Sequence, residues 1–290
     1  MTTDSSLPAA LYVVATPIGH LDDITRRAAQ ILTEVDVCCC EDTRHSKRLL
    51  EHLGARPKLV SVHEHNERER IDFILSLLEQ GQRVALISDA GTPLISDPGF
   101  PLVRAVTQAG FDVRPVPGVS AVTAALSVAG LPTDRWVFEG FLPAKTGQRQ
   151  QRLQQLVNET RTLVLYESSH RIERCLDDLV DVMGADRPLV LARELTKQFE
   201  TVLRGTAAEV RELVAQDADQ RKGEFVLMIG GANSADQPSQ TQLDGDQLMA
   251  VLAPLMPPKQ AAATLVELIG GRKKDWYERI VALGGSSADR

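Results

Sequence analysis

Aromatic residues are scarce in this chain. Phe, Trp and Tyr make up only 4% of its 290 residues, whereas 43% of the residues are hydrophobic and 24% are charged. The interior must therefore be built from aliphatic side chains and alanine, in a protein of otherwise ordinary globular composition. A chain of this length exceeds one typical hydrophobic core, so we expect two domains of unequal size with a small appendage.

Long apolar runs and signal segments are also missing. No stretch approaches the roughly 18 uninterrupted apolar residues of a membrane-spanning helix, and the N-terminus lacks the basic and apolar segments of a signal peptide. Cys38, Cys39 and Cys40 are neighbours and cannot close a tetrahedral metal site, because successive residues of a strand point to opposite faces. We expect a soluble, cytoplasmic protein with buried free thiols and no membrane contact.

Positive charge does not dominate either. The formal net charge of −7 argues against a protein that holds RNA by its overall charge. Basic residues do cluster locally, and each cluster is either an RNA contact or a solvated helix face. The C-terminal cluster is our preferred RNA contact, because Trp276 and Tyr277 beside it offer stacking surfaces. The clusters are Arg44 with His45, Lys47 and Arg48; Lys145 with Arg149 and Arg152; and Arg272 with Lys273 and Lys274.

Short apolar runs alternate with helical patterns in the first half of the chain. This rhythm indicates an α/β domain, over residues 11–131, with a mainly parallel sheet covered on both faces. Residues 132–231 have more strands per helix, which predicts a second α/β domain with a mixed sheet. Residues 232–245 are rich in Gly, Ser, Asn, Gln and Asp and read as a flexible linker. Residues 246–285 are predicted to form a small helical appendage.

Three helix starts are predicted from capping patterns. Asn66 with Glu69, and Thr206 with Glu209, have the spacing of a capping box. Asp97-Pro98 matches an N-cap followed by a first-turn proline. We therefore expect a helix to begin at each of these places.

Polar and Gly- or Pro-rich loops follow the predicted strands. Ligands of open α/β sheets bind beyond the carboxyl ends of the strands, so these loops should converge on one rim. Gly-x-Gly-x-x-Gly and the phosphate-binding loop motif are both absent, which argues against NAD binding and against NTP hydrolysis. The segment 88–99 holds two Asp residues among Gly, Pro and small hydroxyls, and we interpret it as a binding loop rather than a tight double turn.

Two further groups at the rim remain open to two interpretations. Glu41 and Asp42 beside Arg44 are either reactive carboxylates or a salt-bridged helix start with Asp42 as the N-cap. His63 and His65 could ligate a metal, but no third ligand is evident, and a surface or substrate-contact role is favoured.

Taken together, these loops resemble the tetrapyrrole methylase superfamily, and within it the branch that 2′-O-methylates a cytidine in the decoding region of 16S ribosomal RNA. The most specific element is Ser-Asp-Ala-Gly-Thr-Pro at residues 88–93. Relatives that methylate tetrapyrroles carry Gly-x-Gly-x-Gly in the first loop, where this chain has Pro17-Ile18-Gly19. His20 departs from the polar amide more usual in the branch. The other matching segments are residues 15–25, 41–44, 63–67, 94–99, 117–121, 166–171, 193–197 and 223–226.

The resemblance implies a fold of two α/β domains with S-adenosylmethionine in the cleft between them, a homodimer, and 16S ribosomal RNA or the small ribosomal subunit as the substrate. The C-terminal helices also look like the terminal module of that branch. The implied cofactor contacts are Pro17, Asp89, Gly91, Thr92, Pro93, Ser120, Ala121, Tyr166, Glu167, Leu195 and Glu224.

The implied reaction needs a group that takes the proton of a ribose hydroxyl, because the neutral hydroxyl is a poor nucleophile. Asp89, Glu41 and Asp42 are the candidates for this base or for orienting the hydroxyl, and Lys197 and Arg193 are candidates for charge stabilisation. The chemistry requires no metal. The candidate substrate contacts are Arg44, His65, Arg193, Arg272, Lys273 and Lys274.

Two other functions share this scaffold. A methylase that acts on a tetrapyrrole-like small molecule has the same fold and cofactor, and differs in the first loop and in the basic appendage. A ribosome-assembly factor that binds RNA without catalysis predicts no cofactor binding or no turnover.

Overall fold

The computed structural model describes residues 7–63, 66–232 and 245–285. The predicted substrate contact His65 and most of the predicted linker, residues 233–244, lie outside the described residues. The chain divides into two compact units, Met1–Ala232 and Asn233–Arg290. The described part of the first unit contains two five-stranded sheets, one formed by the chain before residue 132 and the other by the chain after it.

All strands of the first sheet are parallel, in the order β3-β2-β4-β1-β5. Side chains of successive strand residues fill two separate cores on its two faces, with Cys38 and Cys40 in one and Cys39 in the other. All four cysteines are buried and free, as predicted. The elements are β1 (Leu11–Val14), α1 (Arg26–Glu34), β2 (Val37–Cys40), α2 (Thr43–His52), β3 (Lys58–Ser61), α3 (Glu67–Glu79), β4 (Val84–Leu86), α4 (Phe100–Gln108), β5 (Val113–Val116) and α5 (Ala121–Ala129).

The second sheet is mixed, in the order β6-β7-β10-β8-β9, and only the β6–β7 pair is parallel. One face packs on helices from its own half of the chain. The other face packs on α5, which comes from the first half and so ties the two sheets together. The elements are β6 (Trp136–Phe141), α6 (Thr146–Leu156), β7 (Thr162–Ser168), α7 (Ile172–Met183), β8 (Pro188–Arg193), β9 (Thr201–Thr206), α8 (Ala207–Gln216) and β10 (Glu224–Ile229).

A helix begins at two of the three predicted starts, Asn66 and Thr206, but the capping box expected at Asn66 is absent and the start at Asp97 is wrong. Thr206 and Glu209 form the capping box of α8. Asn66 makes no side-chain bond to α3, because its side chain instead accepts from the His63 N–H at 2.8 Å and donates to the strand end at Ser61. The helix after the loop 88–99 begins at Phe100, behind an N-cap glycine with φ of 132°, and not at the Asp97-Pro98 pair.

The second unit is helical, with α9 (Gly245–Leu252), α10 (Pro258–Ile269) and α11 (Lys273–Gly285). Its small core includes Leu265 and Ile280. The Trp276 indole N–H donates to the Gly270 carbonyl at 2.9 Å, and the Arg279 guanidinium lies 4.8 Å from the centre of the same indole. Trp276 therefore serves the packing of this unit and is not a freely exposed ring. Within the described residues, no helix has the length and hydropathy needed to span a membrane.

Candidate active site

A cavity of about 310 Å³ opens at the carboxyl ends of β4 and β5, where the loops of the first sheet face the ends of β6, β7 and β8 and the start of β10. Ligand cavities of this size and position are usual for open α/β folds. The sequence-predicted residues that line it are Asp89, Gly91, Thr92, Ser120, Ala121, Tyr166, Glu167, Leu195, Lys197 and Glu224. Pro17 and Pro93, also predicted, are buried next to lining residues but are not among them.

The loop 88–99 is fastened to two neighbouring strand ends. Thr16 and Gly91 exchange backbone hydrogen bonds of 2.8 and 3.1 Å, and the Thr92 hydroxyl donates to the Val119 carbonyl at 2.9 Å. Gly91 has φ of +80°, a conformation that a residue with a side chain adopts only under strain. These bonds hold backbone groups of three loops against the cavity.

Backbone strain is concentrated in the two loops that meet here. Among the described residues, four that are not glycine have positive φ: Leu94 and Ser96 in the first loop, Glu194 and Thr196 after β8. Each such residue costs on the order of 1–3 kcal/mol and persists only where the surroundings impose it. The predicted cofactor contact Leu195 lies between Glu194 and Thr196 and lines the cavity, so the strained backbone forms part of the cavity wall.

Asp97 is the most informative lining residue that the sequence analysis missed. Burial, aided by the negative charges of Glu41 and Asp89, raises the pKa of its carboxyl to about 6, although a hydrogen bond from Ser88 lowers it. The Asp-Pro pattern led us to interpret this residue as a helix cap. The sequence did contain a sign of its role: Asp97 is the second carboxylate, after Asp89, in a loop that follows a strand, and ligands bind at such loops.

Asp42 and Arg44 form the salt-bridged helix start, the second of the two interpretations. The Asp42 carboxylate accepts from the Arg44 N–H at 2.8 Å and pairs with the Arg44 guanidinium at 2.9 Å. These hydrogen bonds from Arg44 lower the pKa of Asp42 to about 2, which makes it a poor base. Its backbone N–H donates to Asp89 Oδ1 at 3.2 Å and so orients that carboxylate. Neither Glu41 nor Asp42 lines the cavity.

Lys197 lies between two carboxylates at the cavity wall. Its Nζ is 2.8 Å from Glu194 Oε1 and 2.7 Å from Glu224 Oε2. Burial alone would lower the pKa of Lys197, but the hydrogen bonds to both carboxylates outweigh it and raise that pKa. Lys197 therefore stays charged at neutral pH. A Cβ atom on Gly19 would lie 2.5 Å from Lys197 Cγ, so only glycine lets the first loop approach this closely.

Tyr166 and Glu167, at the end of β7, are held in place by different kinds of contact: Glu167 by an ion pair and a hydrogen bond, and Tyr166 by ring packing. The buried Glu167 carboxylate pairs with Arg171 at 3.0 Å and accepts from the Ser168 N–H at 2.8 Å. The Tyr166 ring packs edge-on against neighbouring aromatic rings. Burial and then the charge of Asp97 raise the pKa of the Tyr166 hydroxyl, which remains neutral at neutral pH.

Two arginines predicted to contact RNA serve the fold instead. Arg193 is 6% exposed, and its guanidinium donates to the carbonyls of Lys222 and Phe199 at 2.7 and 2.9 Å. Arg149 is 1% exposed and pairs with Asp178 at 2.5 Å. Neither guanidinium is presented to a partner, so the predicted substrate contact of Arg193 is wrong. Arg149 fits neither the RNA contact nor the solvated helix face that were left open for its cluster. The side chains of Arg44, Arg272, Lys273 and Lys274 are exposed.

The cavity fits the cofactor that the sequence analysis expects. Asp89 and Asp97 suit a cationic ligand, and the start of α5 at Ser120 and Ala121 offers helix N–H groups to a carboxylate. Small residues on the walls leave room for a flat ring system. Among the described residues, no group of three His, Cys, Asp or Glu side chains is placed to bind a metal ion.

Comparison with known proteins gives the family. Residues 10–211 match the family model of tetrapyrrole (corrin/porphyrin) methylases, and residues 239–284 match that of the RsmI C-terminal HTH domain. A protein of Xylella fastidiosa strain Temecula1 named ribosomal RNA small subunit methyltransferase I is 52% identical to this chain, over 94% of this chain and 99% of the relative. A protein of the same name from Pseudomonas aeruginosa is 48% identical, over 96% of this chain and 98% of the relative. The chain belongs to this branch of the tetrapyrrole methylase family. It is therefore a methyltransferase.

Solved structures of more distant tetrapyrrole methylases share the fold. A cobalt precorrin-4 methyltransferase has a TM-score of 0.58 at 20% identity, over 76% of this chain and 94% of its own. A uroporphyrin-III C-methyltransferase from Thermus thermophilus, complexed with S-adenosylhomocysteine, has a TM-score of 0.54 at 20% identity, over 76% and 97%. The predicted fold class, two α/β sheets with a helical C-terminal part, is confirmed.

Proposed function

We propose that this methyltransferase transfers a methyl group from S-adenosylmethionine to the ribose 2′-hydroxyl of a cytidine in the decoding region of 16S ribosomal RNA. The observation that carries the proposal is the cavity at the strand ends, where Asp89, Asp97 and Lys197 surround a space of cofactor size. The name shared by relatives about half identical over nearly the whole chain supports ribosomal RNA of the small subunit as the substrate.

Residues from both sheets would hold the cofactor. Asp89 and Asp97 would suit its cationic groups, the start of α5 at Ser120 would suit its carboxylate, and Gly91 and Leu195 would leave room for its rings. When bound, S-adenosylmethionine supplies an electrophilic methyl group on a sulfonium. Much of the rate enhancement then comes from holding the ribose oxygen in line with that group, an effect worth up to about 7–11 kcal/mol for well-oriented reactants.

The chain's own groups handle the proton of the ribose hydroxyl. Asp97, with a pKa of about 6, is ionised at neutral pH yet is a stronger base than an ordinary aspartate. Asp89, oriented by the Asp42 N–H, is another carboxylate that lines the cavity. We assign proton acceptance at the 2′-oxygen to this pair, with Asp97 first, and charge stabilisation to Lys197. A positioned base contributes about 10²–10⁴ in rate.

RNA contact is assigned to the second unit and to α2. Arg272, Lys273 and Lys274 are exposed at the start of α11, and Arg44 is exposed at the start of α2. Such groups bind phosphates irrespective of sequence. Because the net charge is −7, local patches must provide this attraction. We also propose that the protein is a homodimer and that its substrate is 16S ribosomal RNA or the small ribosomal subunit.

Labelled S-adenosylmethionine tests the substrate class. We expect label to enter small ribosomal subunits that lack the modification and to stay out of large subunits. The solved neighbours that act on tetrapyrroles keep one alternative open, and a uroporphyrin-type macrocycle serves as its probe: label in the macrocycle and none in the subunits would overturn the RNA assignment. Cofactor binding without any transfer, or no cofactor binding, would favour an assembly factor.

A further inference from the structure

Phe141 is an exposed aromatic ring in a chain that has few aromatic residues. It lines the cavity and is nevertheless 53% exposed, so the ring stands at the mouth rather than in the interior. Ile95 is the other large apolar residue that lines the cavity while exposed, at 39%. An exposed ring at the opening of an active site offers a flat apolar surface to whatever enters.

A β-bulge directs this ring toward the cavity. Phe138 pairs with Val164 in β7, but the next paired residue is Gly140, which opposes Leu165, so Glu139 is an extra residue. If Glu139 paired regularly with Leu165, Phe141 would oppose Glu167 and point to the opposite face of the sheet, because side chains alternate along a strand. The bulge places Phe141 beside Tyr166, on the cavity face.

The bulge and the ring are both held in place. The Glu139 carboxylate accepts two hydrogen bonds from the Arg152 guanidinium, at 3.0 and 2.5 Å. The centre of the Phe141 ring lies 5.6 Å from that of Tyr166, at an interplanar angle of 61°. This edge-on contact leaves a ring face uncovered.

The mouth is also where the two sheets approach each other. Gly140 has φ of +64°, and a Cβ atom there would lie 3.2 Å from Ser96 Oγ in the opposite loop. Phe141 follows Gly140 and Ile95 precedes Ser96, so the two exposed apolar residues flank this approach from opposite sides. Both residues line the cavity and are open to a flat group that enters it here.

The charges around the cavity decide which part of an RNA this surface can receive. Asp89, Asp97 and Glu224 line it, and its lysine, Lys197, is already paired with two carboxylates. Carboxylates repel a phosphodiester, whereas a nucleobase is uncharged and flat.

We infer that Phe141 is the stacking surface for the base of the methylated nucleotide. The inference rests on the proposed function, and it names the residue that receives the base once the nucleotide leaves the RNA stack. A nucleotide that turns out of the strand to bring its 2′-oxygen into the cavity loses its stacking on the neighbouring bases. The ring of Phe141 replaces that stacking and fixes the orientation of the ribose. Phe141 is thus a positioning residue.

The test compares Phe141→Ala and Phe141→Tyr with Trp136→Ala, a control at the far end of the same strand that is 40% exposed and does not line the cavity. kcat and KM are measured with small ribosomal subunits that lack the modification, and the Kd of S-adenosylmethionine is measured by calorimetry. We expect Phe141→Ala to lower kcat/KM by about fivefold to a hundredfold, the range of base–aromatic stacking. We expect Phe141→Tyr to retain kcat/KM, Trp136→Ala to leave it unchanged, and all three to bind the cofactor like the wild type.

Two results would overturn the inference while the proposed function stands. The first is unchanged kcat/KM for Phe141→Ala on subunits that the wild type methylates. The second is weaker cofactor binding by Phe141→Ala that accounts for the whole loss of kcat/KM. In that case the ring would stack on the adenine of the cofactor and not on the base of the RNA. If the wild type methylates no RNA, the proposed function itself fails, and the inference with it.

Discussion

Replacing Asp97 by asparagine should stabilise the protein and slow methyl transfer. The carboxyl has a pKa of about 6 in the folded protein, against 3.8 for an ordinary aspartate, chiefly because it is buried. The difference is about two pH units, and at about 1.36 kcal/mol for each it amounts to roughly 3 kcal/mol. Asparagine has the same shape, carries no charge, and its side-chain oxygen can still accept the hydrogen bond from Ser88.

The sign of the pH dependence follows from this elevated pKa. Below about pH 4 the carboxyl is protonated in both the folded and the unfolded chain, so it costs nothing. Between about pH 4 and pH 6 the unfolded chain loses its proton first, and the free energy of unfolding falls as the pH rises. Above about pH 6 the full cost of the buried charge is present. Asp97→Asn should therefore raise the free energy of unfolding by about 1–3 kcal/mol near pH 8 and by little near pH 4.

Urea unfolding across this pH range measures the effect. Asp36→Asn is the control of opposite sign, because hydrogen bonds from Arg83 lower the pKa of Asp36 to about 2, and its loss should destabilise the protein at neutral pH. The rate of transfer at saturating cofactor should fall by about 10²–10⁴ for Asp97→Asn, the contribution of a general base. In the wild type, kcat/KM, which reports the protein before its substrates bind, should rise with pH through about 6. An Asp97→Asn protein that is less stable near pH 8, or that keeps its activity, would refute the reasoning.

Three further predictions concern the walls of the cavity and the second unit. Gly19→Ala should lower the free energy of unfolding by about 1–3 kcal/mol and weaken cofactor binding, because the new methyl group collides with Lys197. Its control is Gly147→Ala, at a helical position where a Cβ atom meets nothing within 4 Å. In a thermal unfolding assay this control should instead stabilise the protein by about 0.5–1 kcal/mol. Lys197→Met should lower kcat by about tenfold or more in single-turnover assays, because it removes the positive charge that lies between Glu194 and Glu224. An unchanged kcat would show that Lys197 has no part in the mechanism. Deletion of residues 240–290, which contain the helices of the second unit, should raise KM for ribosomal subunits by about tenfold or more. The cofactor Kd, measured by calorimetry, should stay unchanged. An unchanged KM would show that this unit does not bind the RNA.

The sequence analysis predicted the cavity because parallel strands bring their following loops to one edge. That rule needs only the order of strands and loops, so Asp89, Gly91 and Ser120 could be placed together without knowledge of any contact. The cap of α8 could be predicted for a similar reason, since Thr206 and Glu209 bond to each other's backbone within one turn.

The residues that were mispredicted or missed depend on long-range contacts. Asp97 fits a local helix-cap pattern, but the helix starts later and leaves the carboxyl in the cavity. Arg193 ends a strand, at the edge where active-site residues lie, yet the carbonyls that bind its guanidinium come from residues 199 and 222. Phe141 reaches the cavity only through a bulge whose extra residue is bound by Arg152. None of these partners can be read from local periodicity.

The most direct test of the account is the position of the methyl group on the RNA. A methylated 2′-oxygen cannot attack the neighbouring phosphate, so alkaline hydrolysis leaves the labelled nucleotide joined to the next one. We predict that small subunits treated with the protein and labelled S-adenosylmethionine yield the label in an alkali-resistant dinucleotide that begins with cytidine. Label recovered in single nucleotides would place the methyl group on a base and contradict the account.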